Sequence, residues 1–475
     1  MRGTLLLVAV SPFVVAFAQP PSPLADPHTP SDGAIRQLLS ERVKAIAGQS
    51  DDIGMVVGIV GPHERRVISY GHSSRGNAKS LNGDSLFEIG SVGKVFTALL
   101  LSDMAERGEV SLLNPAAKYL PPGTKLPEHN GHQISLADLA THTSGLPFMP
   151  DTYPVVGDPH EFGPKDVYSF LARYELKRDP GSDWEYSNLD YWLLGEVMAH
   201  RTGLSFDQLL KKRIFEPLRM NSTVVEVPDT LKARLAQGHG ASLRPALPFY
   251  GLSVYSTLGA AAGGVYSSVE DLLTFLSAAL GLEPSPLKLS MDNMLKTQRP
   301  IDGSQQALGW VAEGVGSAKF FSHDGGTWGY ASAVVWDPAA RRGIVVLANQ
   351  QGSVADIARH LLRPEIPLQT PTLARHTEIP MPPAELAAYV GRYNAEDVGE
   401  FNIIRDDDHL TLRLPVDWGL PQFRLHPETT QEFFVTEMPI HVTFETDANR
   451  NITRALFYPP RGQHGIQATK EKARP

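Results

Sequence analysis

Apolar residues at Ile35, Leu38, Leu39, Val43 and Ile46 recur at the spacing of one helical face and predict a helix over residues 34–47. Residues 55–60 and 66–70 read as two strands, with Gly61-Pro62 opening the turn between them. After Ser91, the positions Val95, Leu99, Leu100 and Met104 again fall on one side of a helix. A long middle stretch mixes helical pattern, as at residues 191–199, with Gly/Pro-rich loops. Residues 330–336 read as a strand, 343–348 (GIVVLA) as a buried strand and 353–362 as a closing helix. Strands near both ends with helices between them imply a sheet assembled from both parts of the chain.

The texture changes at residues 364–383, where prolines recur without hydrophobic periodicity, and a linker is expected there. Beyond it, short strands alternate with polar turns at 401–405, 410–414, 433–435, 441–445 and 452–458. They predict an antiparallel meander over residues 384–475, plausible in size for a small all-β barrel. At the other end, Arg2, an apolar stretch from Leu5 to Phe17 and Ala16-Phe17-Ala18 have the pattern of a signal peptide, residues 1–18, cut after Ala18. The run is shorter than a membrane span needs, and Ser11-Pro12 interrupts it. Residues 19–33 are Pro-rich and polar, a second linker, which leaves residues 34–363 for the first folded domain. The expectation is a secreted or periplasmic protein with no membrane span after cleavage.

Composition narrows the function classes. The 475 residues are 42% hydrophobic and 20% charged, enough apolar surface for a sizeable core. A net charge of −9 and the lack of any long Lys/Arg run exclude nucleic acid as an expected partner; a small molecule or peptide is expected instead. There is no cysteine, which removes thiol catalysis, thiolate metal sites and disulfides. The sixteen histidines form no HExxH or related cluster, and no cofactor or catalytic metal is expected.

Three short motifs carry candidate chemistry. Ser91-Val92-Gly93-Lys94 puts a hydroxyl and an amine on one face at the start of a helix. An amine kept neutral by burial can take the serine proton. Alone the spelling is weak, because Ser285-Pro286-Leu287-Lys288 repeats it in a Pro-flanked loop and Ser91 reads equally well as a helix cap. Tyr186-Ser187-Asn188 follows a loop signal at Pro180-Gly181 and offers a phenol for proton transfer and an amide for a substrate carbonyl. His323-Asp324-Gly325-Gly326 leads into the strand at 330–336, where glycines allow a close backbone approach and an N–H for an oxyanion. His129-Asn130-Gly131 is a chance echo of it in a loop with no strand expected after it.

The order Ser-x-x-Lys, Tyr-x-Asn, His-x-Gly resembles the serine β-lactamase and penicillin-binding protein superfamily, in its class C-like branch. That branch includes class C β-lactamases, D-alanyl-D-alanine carboxypeptidases and family VIII carboxylesterases. Phe87-Glu88-Ile89-Gly90 before Ser91, the segment Leu139-Ala140-Thr141-His142-Thr143-Ser144-Gly145-Leu146-Pro147, Ile214-Phe215-Glu216-Pro217-Leu218, Gly263-Gly264-Val265-Tyr266-Ser267 and Leu308-Gly309-Trp310 extend the likeness over residues 34–362. The resemblance implies an α/β sandwich, an antiparallel sheet flanked by helices plus an all-helical region, followed by a lipocalin-like barrel. It implies Ser91 as nucleophile and Lys94 and Tyr186 as proton carriers, with the choice of base left open. Asn188, His323, Asp324 and Gly325 would bind substrate, and the backbone N–H groups of Ser91 and Gly326 would form the oxyanion hole.

Two positions depart from the family pattern. Class C enzymes usually carry Lys-Thr-Gly where this chain has His323-Asp324-Gly325. An unpaired Asp324 facing a substrate carboxylate at ~4 Å would cost ~4 kcal/mol at intermediate dielectric, unless it is paired or turned away. Arg219 stands where the family usually has glycine, which reads as structural. The expected activity is hydrolysis of β-lactam or D-alanyl-peptide amides through an acyl-enzyme, with short-chain ester hydrolysis as the alternative. A silent binding protein of the same fold is a weaker reading. An α/β-hydrolase is excluded, since no serine sits in Gly-x-Ser-x-Gly. Loops at 148–177 and 250–257 are expected to shape the pocket.

Overall fold

A computed structural model describes residues 30–47, 52–74, 77–150, 163–240, 243, 245, 257–371, 376–395, 399–413, 422–436, 441–458 and 466–471. The expected signal peptide, most of the first linker and much of the two pocket loops lie outside the described residues. Within them, a nine-stranded sheet forms the body. Its strands run in the order Asn77–Ser80, Glu64–Ser74, Gly54–Gly61, Arg342–Ala348, Ala331–Asp337, Phe320–Gly326, Val311–Glu313, Ser304–Gln306 and Arg299–Ile301. All neighbours are antiparallel. The join expected from both chain ends is the pairing of Gly54–Gly61 with Arg342–Ala348.

The central strands are buried on both faces, which explains their unbroken apolar runs. Met55, Val57, Ile59, Ala333, Val335, Ile344 and Val346 face one way, packing with helices Asp32–Ala47 and Ala355–Leu362. Val56, Val334, Trp336, Val345 and Leu347 face the other way, into a larger core with helices Gly93–Glu106, Asn188–Thr202 and Val269–Ala279. Gly58 lets the last of these helices sit close, since a Cβ there would meet Val269 at 2.5 Å. The first helix starts two residues before the expected 34, with Asp32 in its first turn, where a carboxylate suits the helix dipole.

Two loops expected without regular structure have it. Lys288–Met294 is a helix, so the second Ser-x-x-Lys also borders one; there Ser285 Oγ accepts from the Leu287 N–H and Lys288 pairs with Asp292. Glu128–His129 and His132–Gln133 pair as a small hairpin, with His129 against Asp179. Arg219 takes φ 59°, the left-handed helix-end conformation that glycine adopts at least cost.

The C-terminal part is a closed barrel of eight antiparallel strands in sequential order, from Gly391–Ala395 to Ile466–Lys470. Strands Gly391–Ala395, Phe423–Pro427 and Ile466–Lys470 were not legible from periodicity. Phe401, Phe423, Phe433, Phe444 and Phe457 fill the interior with Leu410, Leu412 and Leu425. Tyr389 caps it edge-on against Phe433 and Phe444, at 5.0 and 4.9 Å between ring centres. These rings occupy the space that a ligand would need in a hollow barrel.

Candidate active site

Ser91 lies in a single 3₁₀ turn, Gly90–Val92, that runs directly into helix Gly93–Glu106. The caps of these elements are Ile89 and Val92, and neither uses a side-chain bond, so Ser91 is not a helix cap. Its Oγ instead meets Lys94 Nζ at 3.2 Å and the Tyr186 hydroxyl at 2.7 Å. Gly90 turns the chain with φ +51°, and a Cβ on it would come within 2.9 Å of Gly326 N. The backbone at 90–91 therefore lies against the end of strand Phe320–Gly326.

Lys94 is fully buried. Its Nζ donates to Asn188 Oδ1 at 2.7 Å and to the Ala262 carbonyl. Burial drives its pKa well below the ordinary lysine value, opposed only in part by Asp190. A neutral amine has two N–H bonds and one lone pair. With both N–H bonds taken by Asn188 and Ala262, the lone pair is left for the Ser91 hydroxyl proton. Tyr186 is pushed upward by burial, so its phenol keeps its proton at neutral pH.

Tyr186 is held by its surroundings. The His142 ring packs against it at 4.5 Å between centres, and Phe148 stacks on it at 6.1 Å. His142 is itself buried and kept neutral, with Nδ1 accepting from the Ser187 N–H at 3.2 Å. Ser187 caps helix Asn188–Thr202 through a bond from the Asp190 N–H, which fixes Asn188 in the first turn. Of these supports, His142 lay in the family-like segment without an assigned part. Ala262, whose contribution is a backbone carbonyl, left no side-chain signal.

His323 through Gly326 end a strand of their own, Phe320–Gly326, rather than entering the next one. The neighbour Val311–Glu313 pairs only as far as Ser322, so among the described residues no strand pairs with 323–326 on that side. Thr327 N–H bonds the Tyr330 carbonyl at 3.0 Å, making Gly326 and Ala331 a non-hydrogen-bonded pair. Gly326 N–H thus points away from strand Ala331–Asp337. Gly325 has no alternative, since a Cβ would lie 2.1 Å from the Ile89 carbonyl and 2.3 Å from Ser332 Oγ.

Strand alternation separates His323 from Asp324. His323 is opposite Val334 and faces the larger core, where burial and then Lys94 lower its pKa to about 3 and keep it neutral. Its Nδ1 bonds the Asp324 carbonyl at 2.9 Å. Asp324 is opposite Ala333 and faces helix Ala355–Leu362. There both its oxygens accept from Arg359 Nη1, at 3.0 and 3.1 Å, and Arg359 also grips Glu313 at 2.7 Å. The structure therefore gathers Ser91, Lys94, Tyr186, Asn188, His323, Gly325 and Gly326 and leaves the Asp324 carboxylate on the far face, paired. Arg359 and Glu313 left no mark in the sequence, because they meet Asp324 only through the fold.

A hydroxyl flanked by a neutral amine and a phenol, below an open strand edge, can form and break an acyl bond. This site and sandwich define the serine β-lactamase and penicillin-binding protein superfamily. Residues 35–365 match the family described as Beta-lactamase, and the chain belongs to that family. Residues 375–470 match a domain of unknown function, DUF3471. The chain is 29% identical over 349 residues to the D-alanyl-D-alanine-carboxypeptidase/endopeptidase AmpH of Escherichia coli K12, covering 69% of this chain and 86% of that one. A beta-lactamase of Pseudomonas fluorescens is 25% identical over 351 residues, covering 66% and 94%. The crystal structure of the D-alanine carboxypeptidase AmpC of Burkholderia cenocepacia matches with a TM-score of 0.60 at 26% identity, over 70% of this chain and 99% of that one.

Proposed function

We propose that this chain is an exported serine hydrolase that cleaves D-alanyl-peptide or β-lactam amides through an acyl-enzyme on Ser91. The observation that carries the reading is Lys94, fully buried, with Nζ between Asn188 Oδ1, the Ala262 carbonyl and Ser91 Oγ and with burial driving its pKa down, which favours an amine whose lone pair faces Ser91. In this mechanism Lys94 takes the Oγ proton as Oγ attacks the carbonyl carbon. The oxygen that becomes negative is received by the N–H groups of Ser91 and Gly326. As the tetrahedral carbon collapses, Tyr186 gives its proton to the leaving nitrogen and regains one from protonated Lys94. Water then repeats the sequence in reverse, with Lys94 and Tyr186 returning the proton to Ser91. Asn188 holds Lys94 and borders the acyl group.

Asp324 does not oppose this reading, because Arg359 pairs it on the other face of the strand. A second reading, a carboxylesterase, draws on His323. That side chain is neutral, so the position gives no cationic partner to a substrate carboxylate, and an uncharged ester needs none. The ratio of kcat/KM for a D-Ala-D-Ala peptide, nitrocefin and a short p-nitrophenyl ester separates the two, and an ester preference of several orders of magnitude reverses their order. Ser91→Ala should lower turnover of every such substrate at least about a thousandfold and abolish labelling by a fluorescent penicillin. Retained turnover in that variant would sink the assignment.

A further inference from the structure

The barrel carries a cluster of donors that the hydrolytic site does not use. His376 in the connecting segment, Glu428 at the turn between strands Phe423–Pro427 and Glu432–Phe434, and His441 at the start of His441–Thr446 converge on its outer wall. His441 Nε2 lies 3.0 Å from His376 Nε2, and His376 Nδ1 lies 2.9 Å from Glu428 Oε2. One donor atom from each of the three side chains lies within 4.8 Å of the other two.

We propose that the Nε2 atoms of His376 and His441 hold one divalent ion of the zinc class, with Glu428 behind His376 as its outer partner, and that the ion clamps the connecting segment to the barrel. Three features carry it. First, two imidazole nitrogens on a tetrahedral zinc stand about 3.3 Å apart, so the observed pair needs to open by only a few tenths of an ångström. Second, Glu428 accepts from His376 Nδ1–H, which fixes the tautomer that turns the Nε2 lone pair toward His441. A carboxylate behind a ligating histidine is the usual outer partner at such sites. Third, the rings are held in place: His376 stacks on Phe434 at 4.7 Å between centres, and Phe434 is the cross-strand neighbour of His441.

The clamp has a target. The connecting segment already lies along strand Phe423–Pro427 through the Ile379 N–H to the Pro427 carbonyl at 2.8 Å, and through Glu378 to His426 and Arg424. The ion adds a fastening at position 376. Phe434 is followed within two residues by Thr436, whose carbonyl lies against Gly240 of the body. Trp328, at the tip of the hairpin that carries Gly326, packs on the barrel core. The ion would therefore firm the seat of the barrel beside the hairpin of the open strand edge without touching Ser91.

The test uses the full chain stripped with a chelator and titrated with Zn²⁺ alone by calorimetry, and with Co²⁺ alone by its visible absorption. One equivalent of Zn²⁺ should bind saturably and raise the melting temperature. His441→Gln should weaken binding at least about a hundredfold, and Glu428→Gln about tenfold or more. Hydrolytic turnover should stay unchanged in both variants, which also reports that they are folded. If His441→Gln does not fold, His376→Gln, outside the barrel strands, takes its place. An absence of saturable binding by the wild type, or equal binding by the histidine variant, overturns the site and leaves the two imidazoles as a pair sharing a proton.

Discussion

Around Ser91 the body withdraws Glu88, Lys94, His142, Asp190 and His323 from water, each at most 7% exposed. The barrel interior holds aromatic and aliphatic side chains, and the buried Tyr393 hydroxyl donates to the Tyr389 carbonyl at 2.6 Å. On its outer wall Arg424 pairs with Glu378 of the connecting segment. Burying a titratable group without full compensation costs stability, and the barrel does so at few places, His426 being one, with its Nδ1 bonded to Glu378 at 2.9 Å. The body accepts that cost where desolvation disfavours the charged form of an amine and so leaves its lone pair free to accept a proton. The contrast separates residues kept for chemistry from residues kept for packing.

The largest effect expected from this contrast lies at its polar pole. Lys94→Met should lower kcat/KM at least about a thousandfold while melting temperature stays level or rises, because a desolvated amine is replaced by an apolar chain of similar length. The wild-type rate should fall on the acidic side as Lys94 takes up a proton, and that limb belongs in the pH profile of kcat/KM. A melting temperature that drops sharply in Lys94→Met would show the amine to be structural and break the comparison.

At the apolar pole, Phe433→Ala should cost about 3–5 kcal/mol in unfolding of the barrel, with turnover of a small ester unchanged. Loss of turnover would instead tie the barrel to the chemistry. Denaturant unfolding followed alongside activity distinguishes these outcomes.

Glu88 comes next in size. Burial raises its pKa from 4.5 to about 8, with Thr327 beside it pulling weakly the other way. The folded state thus holds a proton that the unfolded chain releases, and this group's contribution to stability is full below pH 4.5 and is lost as pH rises to about 8. Glu88→Gln should therefore gain on the wild type progressively across that window, by a few kcal/mol at its upper end. Parallel melting curves at every pH would show that Glu88 is ionised in the fold. The smallest effect is expected at Arg359. Its alanine variant leaves Asp324 and Glu313 without their shared partner and should cost about 1–3 kcal/mol, with most of the loss restored by adding Asp324→Asn.

Much of the site was legible because its spellings are local. Ser91 and Lys94 share one helical face, and the spacing of Tyr186 and Asn188 spans one turn entry. Helix and strand positions in the body were equally readable where a long apolar period marked them. The barrel strands 391–395 and 466–470 were not, because short strands with charged outer positions carry little period. Their assignment rests on closing the barrel against each other.

What the sequence by itself determined is the set of reactive groups, their order along the chain and the two textures that became body and barrel. Whether Ser91 caps a helix was decided in three dimensions, where its oxygen meets Lys94 one turn along and Tyr186 from a segment ninety-five residues away. The fate of Asp324 was decided there too. Its alternation in a strand and its pairing with Arg359, thirty-five residues away, depend on how sheet and helix pack. Local pattern records what a residue can do, and burial and partners, which come from distant parts of the chain, set its charge and its direction.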